Sequence, residues 1–183
     1  MNTDFKQAAE KIKIILTDVD GVFTDGTIYK GNDGSEFKRF SVLDGAGVAL
    51  ARAANLKVVI VSGRHSPATV SRAKELGLEN DCFQGELNKV ALYNRLKEQY
   101  SFTDEEAVFI GDDLIDIEVM KQVGLPIAVA NAIAPVKAIA KLVTEAKGGE
   151  GAFREAVETI LHSRGEYEAT VLLLRNQIKG NEL

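Results

Sequence analysis

The chain has 183 residues, 45% of them hydrophobic and 27% charged, with 16 Gly and 3 Pro, a profile that allows one substantial buried core and excludes a disordered or fibrous chain. A formal net charge of −5 excludes a broad basic face, so nucleic acid is not expected as a partner. The lone Cys82 excludes an internal disulfide, and His65 and His162 are too far apart in sequence to suggest a zinc site.

The chain opens with MNTDFKQAAEK, without the apolar run of a signal peptide, and no stretch approaches 18 uninterrupted apolar residues. No membrane contact is expected, and the cytoplasm is the expected compartment. Residues 12–16 form a near-continuous aliphatic run that stops at Thr17-Asp18-Val19-Asp20-Gly21. This predicts a strand covered on both faces and ended by a loop. Residues 27–42 place two β-prone arms around Gly31-Asn32-Asp33-Gly34, the pattern of a hairpin projecting from a sheet. Helix-length segments follow at 45–54, 67–76, 89–99, 114–123 and 135–141, alternating with short apolar runs at 56–61, 82–83, 107–110 and 127–129. Pro67 and Pro135 suit first helical turns, and Gly77 and Gly124 suit helix ends. A glycine-rich break at 148–151 precedes a last helix at 153–162, so a single domain is expected over 1–164 with a tail at 165–183. The alternation predicts an α/β fold, a doubly wound parallel sheet of Rossmann type with five buried strands. In such sheets ligands sit beyond the carboxyl ends of the strands.

The residues at four of those ends are Asp18, Asp20 and Gly21; Ser62, Gly63 and Arg64; Lys89; and Asp112, Asp113 and Asp116. Singly, an Asp-x-Asp-Gly is most often a turn and a Gly-Asp-Asp a capped loop. Together they are the parts required for phosphoryl transfer. Converging carboxylates repel one another unless a hard divalent cation with oxygen ligands, namely Mg²⁺, sits among them. A carboxylate that attacks phosphorus splits hydrolysis into two easier steps, and a second one nearby protonates the leaving alcohol and then activates water. Two residues apart on an extended chain, Asp18 and Asp20 would point to the same side and take those two roles. Ser62 is expected to donate to a phosphoryl oxygen, and Lys89 to add charge that neutralises the phosphoryl group and holds Asp18. His65 is expected in a loop beside the site, with a substrate contact left open.

This pattern resembles the haloacid dehalogenase superfamily: Asp18 to Val22 as its first motif, Ser62-Gly63 as its second, Lys89 as its third and Gly111 to Asp116 as its fourth. The resemblance spans residues 10–160. It implies Asp18 as nucleophile, Asp20 as acid/base, and Mg²⁺ held by Asp18, the Asp20 carbonyl and Asp112, with Gly21, Gly63, Asp113 and Asp116 in support. The intervals from Asp20 to Ser62 and from Ser62 to Lys89 are too short for the cap domain that many relatives carry, so no cap is expected. Asp20 to Gly26, the hairpin, Asp44 to Gly47, Arg64 and Gly148 to Glu155 are together similar to one branch, the 3-deoxy-D-manno-octulosonate 8-phosphate phosphatases. That resemblance implies a phosphorylated sugar acid as substrate, a product used in lipopolysaccharide synthesis, and a homotetramer in which hairpins meet centrally. It also implies Arg64, Lys89 and Asp44 as substrate contacts, although Asp44 alone would read as a helix cap.

Two other readings stay open from sequence. A receiver-like phospho-switch is also doubly wound, but its acceptor aspartate follows the third strand. A phosphatase for a nine-carbon sialic-acid-type 9-phosphate resembles the chain closely, but carries Glu where Arg64 stands.

Overall fold

The computed structural model describes residues 3–180; the first two residues assigned to the domain and the last three assigned to the tail lie outside the described residues. Strands β1 (Ile14–Thr17), β4 (Lys57–Ser62), β5 (Cys82–Gln84), β6 (Ala107–Gly111), β7 (Leu125–Ala128) and β8 (Leu142–Val143) form one parallel sheet. Its order is β5-β4-β1-β6-β7-β8. β1 is central because every residue in it is buried, as are all five of β6. Truncating one such side chain, Leu16→Ala for example, would cost ~2–5 kcal/mol.

The helices pack as two groups. One contains α1 (Thr3–Ala9), α2 (Val42–Ala53), α7 (Ala152–Arg164) and α8 (Tyr167–Gly180); the other contains α4 (Lys89–Tyr100), α5 (Ile117–Met120) and α6 (Ala134–Ile139). α3 (Pro67–Glu75) starts on the cap Ser66, with Pro67 in its first turn as the sequence suggests. The chain order leaves β1 for β4 on one side and β6 on the other, so the strand order reverses at β1. Loops diverge at such a switch point and leave a crevice at the strand ends.

The hairpin is present but its ladder is short: β2 (Tyr29–Lys30) and β3 (Glu36–Phe37) pair antiparallel, with Tyr29 opposite Phe37 and Lys30 opposite Glu36. The second arm ends early because Ser41 caps α2, accepting from the Leu43 amide, and Val42 already belongs to the helix. Among the described residues no cap domain lies between the strands.

Two expectations need correction. Among the described residues the sheet has six strands rather than five, since two residues, Leu142 and Val143, extend it beside β7. The helix expected over 114–123 is a 3-10 turn at Leu114–Asp116 followed by the single turn of α5. Asp116 causes the break: its buried carboxylate accepts from the Asp112 and Asp113 amides instead of leaving the chain to wind evenly. Residues 167–180 of the tail form α8: Gly165 ends α7 in the left-handed region (φ 70°) and turns α8 back so that Tyr167, Val171 and Leu174 meet the core. The N-terminal helix α1, unforeseen from sequence, buries Phe5 and Ala9.

Candidate active site

β1 delivers Asp18 to the centre of the crevice, where its amide donates to the Ile110 carbonyl at 3.0 Å and extends the ladder by one residue. The chain then turns. The amides of Val22, Phe23 and Thr24 all point at the Val19 carbonyl, so Asp18 and Asp20 do not share a side of an extended chain as expected. The turn instead brings both carboxylates to the lining of one hollow of about 340 Å³, shared with Ser62, Gly63, Arg64, Leu87, Asp113 and Ile115. A hollow of about 510 Å³ beneath α1, bordered by Lys11, Glu105 and Lys141, opens at the amino ends of the strands and gathers none of this chemistry.

Gly21 makes the turn possible. It sits at φ 98°, and a Cβ there would fall 2.0 Å from Asp112 Oδ2. The glycine-rich stretch closes over the same turn: the Gly149 amide donates to the Val22 carbonyl at 2.9 Å, and a Cβ on Gly148 would lie 1.7 Å from the Gly21 carbonyl oxygen. Asn131, after β7, joins the two segments, donating to the Gly21 carbonyl at 3.2 Å and accepting from the Gly148 amide at 2.6 Å. The sequence reading missed Asn131 because it stopped at four strand ends. The carboxyl end of β7 faces the same crevice.

Lys89, the first residue of α4, is almost completely buried, with Nζ 2.8 Å from Asp18 Oδ2 and 2.7 Å from Asp116 Oδ1. Burial acts to discharge it, but the two carboxylates outweigh burial and raise its pKa. Burial raises the Asp18 carboxyl to about 6 against the pull of Lys89. It raises Asp112 to about 8, helped by the charges of Asp18, Asp116 and Asp113. One oxygen from each of Asp18, Asp112 and Asp116 lies within 4.8 Å of the others. Both oxygens of Asp116 are already engaged, by Lys89 and by two amides, whereas Asp112 Oδ1 is buried with no hydrogen-bond partner. An unpartnered buried carboxylate oxygen beside another carboxylate fits a hard divalent cation. On this geometry Asp18 and Asp112 would be its side-chain ligands, with Asp116 behind them.

The remaining expected residues divide. The Ser62 hydroxyl bonds the backbone of its own loop, donating to the Arg64 carbonyl at 2.9 Å and accepting from its amide. Gly63 admits Leu87 and Ile115 to the rim, where a Cβ would meet them at 3.3 and 3.0 Å. Asp113 is exposed and caps the 3-10 turn through the Leu114 amide. His65 is exposed in the loop beside the hollow.

Arg64 reaches the rim, but its guanidinium grips Glu36 of the hairpin. Glu36 also accepts from Ser66 Oγ at 2.7 Å and pairs with Lys30 at 2.9 Å, and these partners, Arg64 first, hold its carboxyl well below the usual range. Asp44 is not placed as a substrate contact. Its side chain is fully buried and accepts from the amides of Gly151, Phe153 and Arg154, so it caps α7 from within α2. The capping alternative holds, though for a different helix from the one that contains it. Lys38, unforeseen, is clasped to Asp20.

Residues 80–154 match the model of haloacid dehalogenase-like hydrolases. The 3-deoxy-D-manno-octulosonate 8-phosphate phosphatase of Salmonella typhi is 39% identical over 168 residues, covering 92% of this chain and 89% of the relative. The crystal structure of that phosphatase from Yersinia pestis superposes with a TM-score of 0.88 at 40% identity, covering 92% of this chain and 90% of the other. The Moraxella catarrhalis phosphatase, solved with magnesium ion, phosphate ion and a KDO molecule, superposes with a TM-score of 0.89 at 32% identity, covering 94% and 98%. With this identity along nearly the whole chain, and the acid-lined crevice at its switch point, the chain belongs to the 3-deoxy-D-manno-octulosonate 8-phosphate phosphatase family of haloacid dehalogenase-like hydrolases.

Proposed function

We propose that this protein is a Mg²⁺-dependent phosphatase that hydrolyses 3-deoxy-D-manno-octulosonate 8-phosphate to the free sugar acid and phosphate, a step of lipopolysaccharide synthesis. One observation carries this reading: the buried Asp18 carboxylate, held by Lys89, opens into the same hollow as Asp20. Asp18 attacks phosphorus, the ester P–O bond breaks, and Asp20 gives its proton to the departing C8 oxygen. Asp20 then takes a proton from water, whose oxygen attacks the aspartyl phosphate, releasing phosphate and regenerating Asp18. Lys89 orients Asp18 and neutralises the phosphoryl oxygens. The loop carrying Ser62 and Gly63 forms the adjoining wall, and the Ser62 hydroxyl turns from the Arg64 backbone to a phosphoryl oxygen when substrate arrives. Mg²⁺, when bound by Asp18, Asp112 and the Asp20 carbonyl, screens the phosphate from the carboxylates.

Arg64 favours the eight-carbon acid over the nine-carbon alternative, whose phosphatases resemble this chain but tend to carry Glu at that position, and a guanidinium at the rim matches the carboxylate of a sugar acid. The domain is read as 1–164 with α8 packed on it. The cross-strand pair Tyr29 and Phe37 is 56% and 64% exposed, an apolar pair that suits burial between hairpins in a homotetramer. A monomeric mass in solution with full activity would rule out the tetramer. The cytoplasm remains the expected compartment, in keeping with the free thiol of Cys82. A phosphate-release screen over sugar phosphates tests the function: selective turnover of the octulosonate 8-phosphate is expected, and preference for a nine-carbon 9-phosphate, or no turnover with Mg²⁺ present, would refute it.

A further inference from the structure

In the strand that returns from the hairpin, successive side chains alternate in direction, so Glu36 and Lys38 leave it on one side and Phe37 on the other. Phe37 is exposed, and both charged residues reach inward. Glu36 ties to Arg64 and to Ser66, the cap of α3. Lys38 extends beneath the turn after β1, where its ammonium lies 2.7 Å from Asp20 Oδ1 and 2.9 Å from Oδ2, with hydrogen-bond direction toward Oδ2. It also donates to Thr69 Oγ1 at 3.3 Å, in the first turn of α3. The Lys38 side chain has no exposed surface, while that of Asp20 is 23% exposed. Asp20 lines the hollow while the Lys38 side chain is wholly buried, so the ammonium meets Asp20 from the protein side.

A carboxylate on a short side chain can rotate freely unless something fixes it, and proton transfer requires it within hydrogen-bond reach of the ester oxygen. A buried cation hydrogen-bonded to one oxygen and in ion-pair contact with the other restrains that rotation from the protein side, while Asp20 still lines the hollow. We infer that Lys38 is a positioning residue for Asp20, so that the hairpin of each chain sets the acid/base of its own site. This rests on Asp20 being the acid/base group. A purely structural ion pair that fastens the hairpin is the competing account.

The two accounts differ in substrate profile. Phosphate release from the octulosonate 8-phosphate and from p-nitrophenyl phosphate would be measured for Lys38→Met, Lys38→Gln, Asp20→Asn and the double variant Lys38→Met/Asp20→Asn, with thermal unfolding followed in parallel. Positioning predicts that Lys38→Met lowers kcat on the sugar phosphate ~10- to 100-fold with KM little changed, and loses less on the aryl ester, whose leaving group needs no proton. It also predicts that Lys38→Met adds almost nothing once Asp20 is Asn, since the residue acts through Asp20. Equal losses on both substrates, full additivity with Asp20→Asn, or wild-type rates would overturn the inference. Lys38→Gln keeps the length and a donor, and the same criteria apply to it if the Met variant does not fold. Should Asp20→Asn itself show no selective loss on the sugar phosphate, the acid/base reading of Asp20 would fail, an outcome separate from any behaviour of Lys38.

Discussion

Arg64 holds Glu36 through two adjacent contacts, Nη1 at 3.1 Å from Oε1 and Nη2 at 2.7 Å from Oε2, with the arginine side chain still 40% exposed at the rim of the hollow. The same guanidinium therefore faces a hairpin carboxylate on one side and the space for a substrate on the other. Its two roles make different demands on a variant.

If Arg64 reads the carboxylate of the sugar acid, Arg64→Ala lowers kcat/KM for the octulosonate 8-phosphate by ~10- to 100-fold, about 1.5–3 kcal/mol for one charged contact. Turnover of p-nitrophenyl phosphate stays near wild type, because Asp18 and Lys89 are untouched. Steady-state phosphate release on both substrates checks this. Equal losses would assign Arg64 to anchoring the hairpin through Glu36.

Asp18→Asn is expected to abolish turnover and leave the fold intact. The amide keeps the shape of the side chain but lacks the nucleophilic carboxylate, and Lys89 keeps Asp116 as partner. Thermal unfolding should show little loss, since burial already disfavours the Asp18 charge. A variant that still releases phosphate at near-native rates would remove Asp18 from the nucleophile role.

Metal binding is expected to depend on pH with a definite sign. In the metal-free protein Asp112 titrates at about 8 and Asp18 at about 6, both above the ordinary 3.8, so the folded state holds more protons than the unfolded state between those values. Stability of the metal-free protein therefore falls as pH rises from about 4 to 8. Mg²⁺ displaces those protons, so its affinity and the rise in Tm it produces grow over the same range and level off above about pH 8. Melting curves with EDTA and with Mg²⁺ across this range check both slopes, and a rise in Tm from Mg²⁺ that shrinks with pH would contradict the assignment of Asp112 as a ligand. Excess EDTA should also abolish turnover, with Mg²⁺ restoring it.

Asp44→Ala is expected to act on stability rather than on specificity. It removes a buried cap shared by three amides at the start of α7, a loss of ~1–3 kcal/mol, or roughly 2–10 °C in Tm for a domain of this size. Both substrates should suffer alike below the melting range. A loss confined to the sugar phosphate would restore Asp44 as a substrate contact.

Much of this molecule was legible in sequence because its determinants are local. A buried parallel strand must be apolar on both faces, so residues 12–16 and 107–110 announced themselves, and catalytic carboxylates have to stand where such runs stop. Asp18, Lys89 and Asp112 could thus be placed together before any coordinates. Short elements escaped the sequence reading: Leu142 and Val143 become a strand only because β7 offers an edge, and two residues carry no periodicity. Partners distant in the chain escaped as well. Nothing in the residues around Asp44 shows that its carboxylate would cap a helix more than a hundred positions later. Nor does the hairpin sequence show that Glu36 and Lys38 would meet Arg64 and Asp20. A charged side chain looks the same in sequence whether water or another chain segment solvates it. Only packing removes the water, and it was packing that decided which carboxylate each of these cations would hold.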